Sequence, residues 1–507
     1  MLRKRVTVFE IQKEVGKMFL TETDLINAKI TADSNINESE ILKYIIKEDR
    51  MSDRKKRMIE GEKYYSYEHD IENIDFRQSC ISETDEEGKE SISKFTNPNR
   101  SNKHITNAFH RVLVDQKVSY LIGRKPVIKI DYKSNMEKDE DFEREIEDFT
   151  GEEFNEVLQE LLTGASNKGC EALHVYYDEN GKLRYCIIPA DEIIPIYDSQ
   201  YGKELEQLIR YYDTVVIRNG NKYIRKRVEW WTKDKVTYFI EDDSRNYIFD
   251  NTVKHNPSPH WWGVATEDGF EKSRRANSWG KVPFIILKNN SKETTDLEGI
   301  KGLIDAYDMI ASEGVNSMLD LVDLYWVIQG YGGDTASAIA KKLKINKAVN
   351  ITDSSGSVEA RQIELSMNGR LELLKRLRKD IFEFGQGIDT DPDALGNSPS
   401  GVSLKFQYTL LELKASGVAV KLKQCIKELL GYMIEDYNRK HNTDYDVSIL
   451  KIALKRNAIT NDYETVQMIQ MSKGILSDET LLSMHPFVEE ISMEEDAVKG
   501  EKVEKEI

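Results

Sequence analysis

Six polar residues stand three or four apart along one stretch of this chain: Asp305, Asp308, Ser312, Asn316, Asp320 and Asp323. On a helix that spacing puts them on one face, since three or four residues make about one turn. Such a row of carboxylates can repel a polyanion and keep a film of water, or it can simply face solvent, as on many amphipathic helices. A second acidic group, Asp389, Asp391 and Asp393, lies in the proline- and glycine-punctuated stretch 389–401. It lacks the glycine and distal glutamate of a calcium loop. Catalysis has little to work with elsewhere. Gly164 and Gly169 are spaced like the glycines of a phosphate loop, but Cys170 stands where the lysine belongs. His255 and His260 lie among Pro257, Pro259, Trp261 and Trp262, which fits a loop packed by aromatics better than a metal site. Serine, histidine and aspartate occur without a nucleophile-elbow context. The expectation is a protein with no catalytic residues, no metal and no cofactor.

The elements that must carry these residues follow from periodicity. Residues 299–329 contain no proline, and Leu303, Tyr307, Ile310, Gly314, Met318, Leu321, Tyr325 and Ile328 share one face. This predicts a single helix of about 45 Å. A small strand-and-turn insertion is expected over 330–366. A second helix over 367–388 sets Leu374, Leu377, Ile381, Phe384 and Ile388 on one stripe, with Lys375, Arg376, Arg378 and Lys379 as a basic face. The irregular stretch that follows includes Asp391, Asp393, Gly396, Asn397, Ser398, Pro399, Ser400 and Gly401. A third, longer helix is predicted over about 403–438.

Upstream, residues 1–75 read as charged helix and 78–103 as a polar, mobile loop. Residues 104–123 read as a helix closed by Gly123. Between about 125 and 290, short runs rich in Val, Ile and aromatics are broken by hairpin signals at Glu179-Asn180-Gly181 and Asn219-Gly220. A helix over about 152–168 is embedded there, which makes the class α+β with antiparallel sheets. Downstream come a strand in DVSILKIAL, a helix opened by Asn461 with Glu464, and a short helix near 477–484.

Composition narrows the function. The chain has 507 residues and a formal charge of −17, from 72 basic and 89 acidic side chains. Two to four structural units are expected at that length. A nucleic-acid gripper needs an excess of Lys and Arg to displace counterions from phosphate, so the balance argues against tight DNA wrapping but not against DNA sliding past. The four cysteines match no paired pattern and read as reduced thiols. No stretch has the form of a signal peptide or a membrane span, which predicts a chain that is cytosolic where it is made.

The order of parts and several strings resemble portal proteins of tailed phages, of the siphophage type from Gram-positive hosts. The strings are RVLVDQKVSYLIGRKPV, ASNKGCEALHVYYDENGKLRYCIIPADEIIPIY, SWGKVPFIILKNN, LIDAYD and GILSDETLLSMHPFVEE. The resemblance implies a portal fold with wing (1–298), stem helices (299–329 and 367–388), clip (330–366) and tunnel loop (389–402). A long wing helix (403–439), a crown (440–490) and a flexible acidic tail (491–507) complete it. It further implies a homo-oligomeric ring, usually of twelve subunits, at one capsid vertex of the virion, assembled in the host cytoplasm. Double-stranded DNA would pass through the channel during packaging and ejection. The partners implied are the terminase large subunit, scaffolding and major capsid proteins, and head-tail adaptor proteins, with no membrane. On this reading Asp305, Asp308, Ser312, Asn316, Asp320 and Asp323 line the channel, and Lys375, Arg376, Arg378 and Lys379 face a neighbouring subunit. The competing readings are a phage scaffold or adaptor without a channel, and a DNA-end nuclease.

Overall fold

The computed structural model describes residues 38–488, apart from 85–89, 99, 133–137, 199–203, 219, 268–269, 321–324, 330–356, 362–366, 392–405 and 458–461, and also Glu494. In chain order its elements begin with α1 (Glu38–Met51), α2 (Asp53–Tyr65), β1 (Gln78–Thr84), β2 (Glu90–Thr96) and α3 (Phe109–Ile122). Next come β3 (Val127–Ile130), α4 (Glu140–Phe149), α5 (Phe154–Lys168), β4 (Cys170–Tyr177), β5 (Leu183–Ile188) and β6 (Ile193–Tyr197). They are followed by β7 (Leu205–Arg218), β8 (Asn221–Trp231), β9 (Lys235–Glu241), β10 (Tyr247–Phe249), β11 (Ser258–Pro259), β12 (Trp261–Glu267), β13 (Phe270–Asn277) and β14 (Phe284–Lys288). The remainder are α6 (Lys301–Asp320), β15 (Tyr325–Gln329), β16 (Ser357–Arg361), α7 (Met367–Phe384), α8 (Thr409–His441), β17 (Leu450–Ala453), α9 (Asp462–Ser472) and α10 (Asp478–Met484). The chain divides into two units, one of residues 1–62, 113–296 and 386–507, the other of 63–112 and 297–385. Helices and strands mix in the way the α+β expectation requires. No helix among the described residues is long and apolar enough to cross a membrane.

The first unit is built on the antiparallel sheet β10-β9-β8-β7-β6. Strand alternation gives it two apolar faces. Val228 and Trp230 of β8 pack with Ile41, Leu42, Ile45 and Ile46 of α1, whose spacing forms one helical stripe. Trp231, one residue on, points the other way and packs with Ala172, Val282 and Phe284 around the second sheet, β14-β4-β5. The predicted hairpins are present: Gly181 and Gly220 take the left-handed φ of +74° and +79° that their turns need. Helix α5 matches expectation, and the Gly164–Gly169 stretch is not a loop: it is the last turn of α5 and its left-handed C-cap. The long helix α8 buries Leu411, Val418, Leu422, Ile426, Leu429 and Met433 on one side.

Two ionic anchors fix α8. Near its start, Glu412 accepts from Arg456 Nε at 2.9 Å and Nη2 at 3.0 Å, and from the Tyr120 hydroxyl at 2.6 Å. These donors, the Arg456 guanidinium foremost, hold the Glu412 carboxyl down to about 2. A carboxyl below its unfolded value supports the fold above pH ~4.5, and the support fades as pH falls toward the folded value. Glu412→Gln is therefore expected to lower the melting temperature by a few degrees near pH 7 and to flatten its decline on acidification. Melts across pH 3–7 test this, and an unchanged slope would contradict it. The second anchor is a buried ionic cluster in which Asp296 meets Lys117 at 2.7 Å and Lys414 at 3.1 Å.

The second unit holds α6 and α7 around a small aromatic core. Phe109 meets the rings of Tyr307 and Phe382 edge-on, at 4.9 and 5.9 Å between centroids. Three sequence expectations are corrected here. Residues 78–103 were expected as a loop, but β1 and β2 pair antiparallel from Gln78↔Thr96 to Thr84↔Glu90. The helix expected from 104 begins at Phe109. The helix expected to reach 329 is described only to Asp320, and Tyr325–Gln329 is a strand paired with Ser357–Arg361. The run Tyr-Trp-Val-Ile fits a helical stripe and a strand equally by spacing, and its aromatic and β-branched types favour the strand.

Candidate functional site

The polar stripe of α6 is built from short side chains that reach only a few ångströms from the helix. What they reach is the extended segment 101–107. Asn107 N donates to Asp308 Oδ1 at 3.0 Å, and Ile105 N donates to Ser312 Oγ at 2.9 Å. Lys103 N donates to Asn316 Oδ1 at 2.7 Å, and Ser101 N to Asp320 Oδ1 at 2.8 Å. The register has a geometric reason. Four residues of helix rise about 6 Å, and two residues of extended chain advance about 6.6 Å. A helix residue every four positions therefore meets a strand amide every two, running antiparallel. Asn316 closes a full bridge, because its Nδ2 also donates to Lys103 O at 2.9 Å.

The opposite edge of the segment is held as well. Asn102 accepts from Phe76 N at 2.8 Å, and His104 Nε2 bonds Ile74 O at 2.7 Å. Alternation along an extended chain sends odd amides to α6 and even side chains to 74–76. At the far end, His69 Nδ1 lies 2.6 Å from Asp308 Oδ2 and its Nε2 lies 3.3 Å from Tyr64 O. The His69 ring stacks on Tyr64 at 4.4 Å. The Tyr64 hydroxyl bonds Asp305, which also pairs with Lys301 at 2.9 Å. Burial and then the Asp305 carboxylate push the Tyr64 hydroxyl well above its ordinary value.

This geometry corrects the channel-lining expectation for three residues. Asp308 and Ser312 are 0% exposed and Asn316 is 5% exposed within a single copy of the chain. A side chain fully covered by its own protomer cannot line a water-filled hole. Asp305 and Asp320 are partly exposed, at 35% and 27% of their side chains. Asp323 lies outside the described residues. The physical reason is that Asp, Ser and Asn compete for backbone groups, and here they bind a neighbouring segment's amides.

On α7, Lys375, Arg376 and Lys379 are exposed. Arg376 is already matched in its own helix by both oxygens of Asp380 at 3.0 Å, and the Arg378 guanidinium lies over Phe382, 5.4 Å from its centroid. Lys375 pairs loosely with Glu372 of the same helix at 3.7 Å. Of the loop residues, Asp391 is described and its amide donates to Asp389 Oδ1 at 3.1 Å; Asp393, Gly396, Asn397, Ser398, Pro399, Ser400 and Gly401 lie outside the described residues. His255 packs on Trp262 at 5.1 Å, and His260 bonds Thr232 O at 2.9 Å. Among the described residues no three His, Cys, Asp or Glu side chains gather as metal ligands do.

Sequence reasoning missed His69 and the segment 101–107 as partners of α6. One signal was available: Asp308, Ser312, Asn316 and Asp320 repeat at a strict interval of four and are all short. A solvated face more often mixes intervals of three and four and uses long Glu and Lys.

The sequence matches the family of phage portal proteins described as SPP1 Gp6-like over residues 45–506. The chain belongs to that family. It is 27% identical over 436 residues to the portal protein of Bacillus phage SPP1, covering 85% of this chain and 81% of that relative. It is 30% identical over 481 residues to the portal protein of Clostridium phage phiCD119, covering 89% of this chain and 95% of the relative. Among solved structures, a chain from the neck of an empty GTA particle aligns with 74% of this chain and 88% of its own length, at 10% identity and a TM-score of 0.39.

Proposed function

We propose that copies of this chain close into a ring, of twelve in the capsid, at one vertex of a phage particle, and that double-stranded DNA passes through it during packaging and ejection. The match to the portal family over residues 45–506 carries this reading. The paired helices α6 and α7 serve as the stem, the segment between them as the clip, residues 389–402 as the tunnel loop, and the part after α8 as the crown. A terminase large subunit docks on the clip and supplies ATP hydrolysis, and head-tail adaptors take its place after packaging. Scaffolding and major capsid proteins surround the ring. The chain performs no catalysis of its own.

The lumen chemistry is narrower than the stripe suggested. Helix α6 has 20 residues, about 30 Å, so it faces roughly 18 duplex phosphates at one per ~1.7 Å. Asp305, Asp320 and Asp323 remain as carboxylates that ring symmetry would multiply into repelling, hydrated belts. Asparagine keeps the acceptor that Ser101 N uses while removing the charge. Asp320→Asn with Asp323→Asn is thus expected to leave ring assembly intact and to cut packaged DNA about tenfold. Rings are counted by electron microscopy and packaged DNA by nuclease protection. Undiminished packaging overturns the carboxylate lumen. Purified protein that forms no closed ring wide enough for the roughly 20 Å duplex overturns the portal mechanism, and favours a scaffold without a channel.

A further inference from the structure

Helix α1 lies on one face of the first unit's large sheet, packed with Tyr211 of β7, Val228 of β8, Phe239 of β9 and Tyr247 of β10. Strands β7 and β8 run on beyond that layer. Pairing of β6 with β7 reaches no further out than Arg210, and pairing of β9 with β8 no further than Arg227. The outer rows of β7 and β8 are therefore a two-stranded ribbon, a form that is marginal in water unless a further layer covers it. Alternation carries the α1 face outward along both strands. First comes Asp213 paired with Lys226, then Val215 opposite Ile224, then Ile217 opposite Lys222.

Val215, Ile217 and Ile224 are 59%, 68% and 71% exposed. A ribbon that faced water on this side would gain nothing from apolar rows past the ion pair, yet the apolar pattern resumes there. The reverse face is settled inside the fold, where Arg225 Nη1 donates to Asp242 O at 3.0 Å and its guanidinium lies 5.9 Å from the centre of the Tyr223 ring. A contiguous exposed apolar patch marks a surface that another segment covers.

We propose that residues 18–30 of the same chain lie on this face and complete the layer that α1 begins. The place where the chain enters α1 carries the argument. Tyr247 N donates to Ser39 Oγ at 2.9 Å and Lys43 Nζ donates to Asn246 Oδ1 at 2.5 Å, so α1 starts at the β10 edge of the same face. Tyr247 lies opposite Glu241, and the Ile224 row is two strands across and two residues further out, about 12 Å away. The 37 residues before Glu38 arrive at that edge. Seven of them, 31–37, link Ile30 to Glu38, and extended they span about 24 Å. The stretch before them, MFLTETDLINAKI, holds Phe19, Leu20, Leu25, Ile26 and Ile30 for the apolar rows, and Glu22 and Asp24 for Lys222. Arg3, Lys4 and Arg5, nearer the start, carry the wrong sign for that lysine.

The test is made in the full chain with a photo-crosslinker, placed by Ile224→p-benzoylphenylalanine on the proposed face or by Tyr223→p-benzoylphenylalanine on the reverse face. Irradiation at position 224 is expected to join it to a residue within 18–30, read by peptide mass spectrometry, with no rise above the mass of one chain under denaturing conditions. Position 223 is expected to give roughly tenfold less of that product, because successive strand side chains point to opposite faces. Leu25→Asp with Ile26→Asp is expected to cut the yield at position 224 roughly fivefold, since a charge resists burial against the apolar rows. Without the crosslinker, the same double change should speed amide exchange across 213–226 about tenfold and leave α5 as protected as before. No adduct at position 224, an adduct to any other segment, or yield and exchange that ignore the double change overturns the proposal. So does an adduct between two chains, which assigns the face to a second copy.

Discussion

Asp308→Ala is expected to destabilise the second unit by about 3–5 kcal/mol, because several buried groups lose one hydrogen-bond acceptor together at roughly 1–3 kcal/mol each. Asp308 is fully buried, and so is His69, the residue it faces at 2.6 Å. Truncation leaves the imidazole facing a void and strips both the backbone and side-chain amides of Asn107 of their acceptor. Each orphaned donor adds to the loss. Asp308→Asn is the informative companion: it keeps an acceptor for Asn107 N but removes the charge opposite His69, so it should fall between wild type and alanine. Chemical denaturation gives the size of the loss, and amide exchange gives its place. Protection should collapse first at Lys103, Ile105 and Asn107, whose amides depend on the α6 stripe. If Asp308→Ala is as stable as wild type and those amides stay protected, the zipper between α6 and 101–107 is not what holds this unit.

That prediction could not have been made from the sequence, and the reason is specific. Spacing placed Asp308, Ser312, Asn316 and Asp320 on one helical face, and the structure agrees. Spacing does not say what the face meets. An acidic stripe bound to backbone amides and one facing water have the same period, and only the coordinates of segment 101–107 separate them. The same limit explains residues 104–108: they continue the helical pattern of α3, but the amides of Ile105 and Asn107 are held by Ser312 and Asp308 of α6. By contrast the hairpins at Gly181 and Gly220, the α5 helix and the buried stripe of α8 were legible, because each rests on local turn chemistry or on one unbroken apolar period. Family resemblance reached further than pattern, since strings spread from 104 to 490 carry information that no period holds.

Asp296→Asn should produce the second large loss, also about 3–5 kcal/mol, and its pH dependence should identify the cause. Asp296 is the shared counter-charge of two lysines. Lys117 is fully buried at 2.7 Å, Lys414 lies at 3.1 Å, and Asn289 Nδ2 donates at 2.9 Å. Burial alone would raise the Asp296 carboxyl, but Lys117 and Lys414 together hold it well below the carboxylate range. Burial, followed by repulsion from Lys414 and opposed by Asp296, brings Lys117 down to about 8. Without Asp296, two buried ammoniums face each other with no acid between them. A lysine whose folded value lies below its unfolded one, ~10.5, weighs against the fold while charged, and is relieved as pH rises from the folded toward the unfolded value. Removing Asp296 lowers Lys117 further still, so the deficit of Asp296→Asn should be greatest well below pH 8 and narrow as pH rises to about 8, above which Lys117 titrates in both proteins. Lys117→Met removes a different part of the same cluster and leaves Asp296 matched by Lys414, so its cost should stay under about 1.5 kcal/mol. The double variant should recover much of what Asp296→Asn loses, because neighbours sharing one buried counter-charge do not act additively. Denaturation of the four proteins at pH 7 and 9.5 completes the cycle. Equal losses from the two single changes, or a deficit that ignores pH, would mean that packing around α3 and α8, and not the charge on Asp296, sets the stability of this cluster.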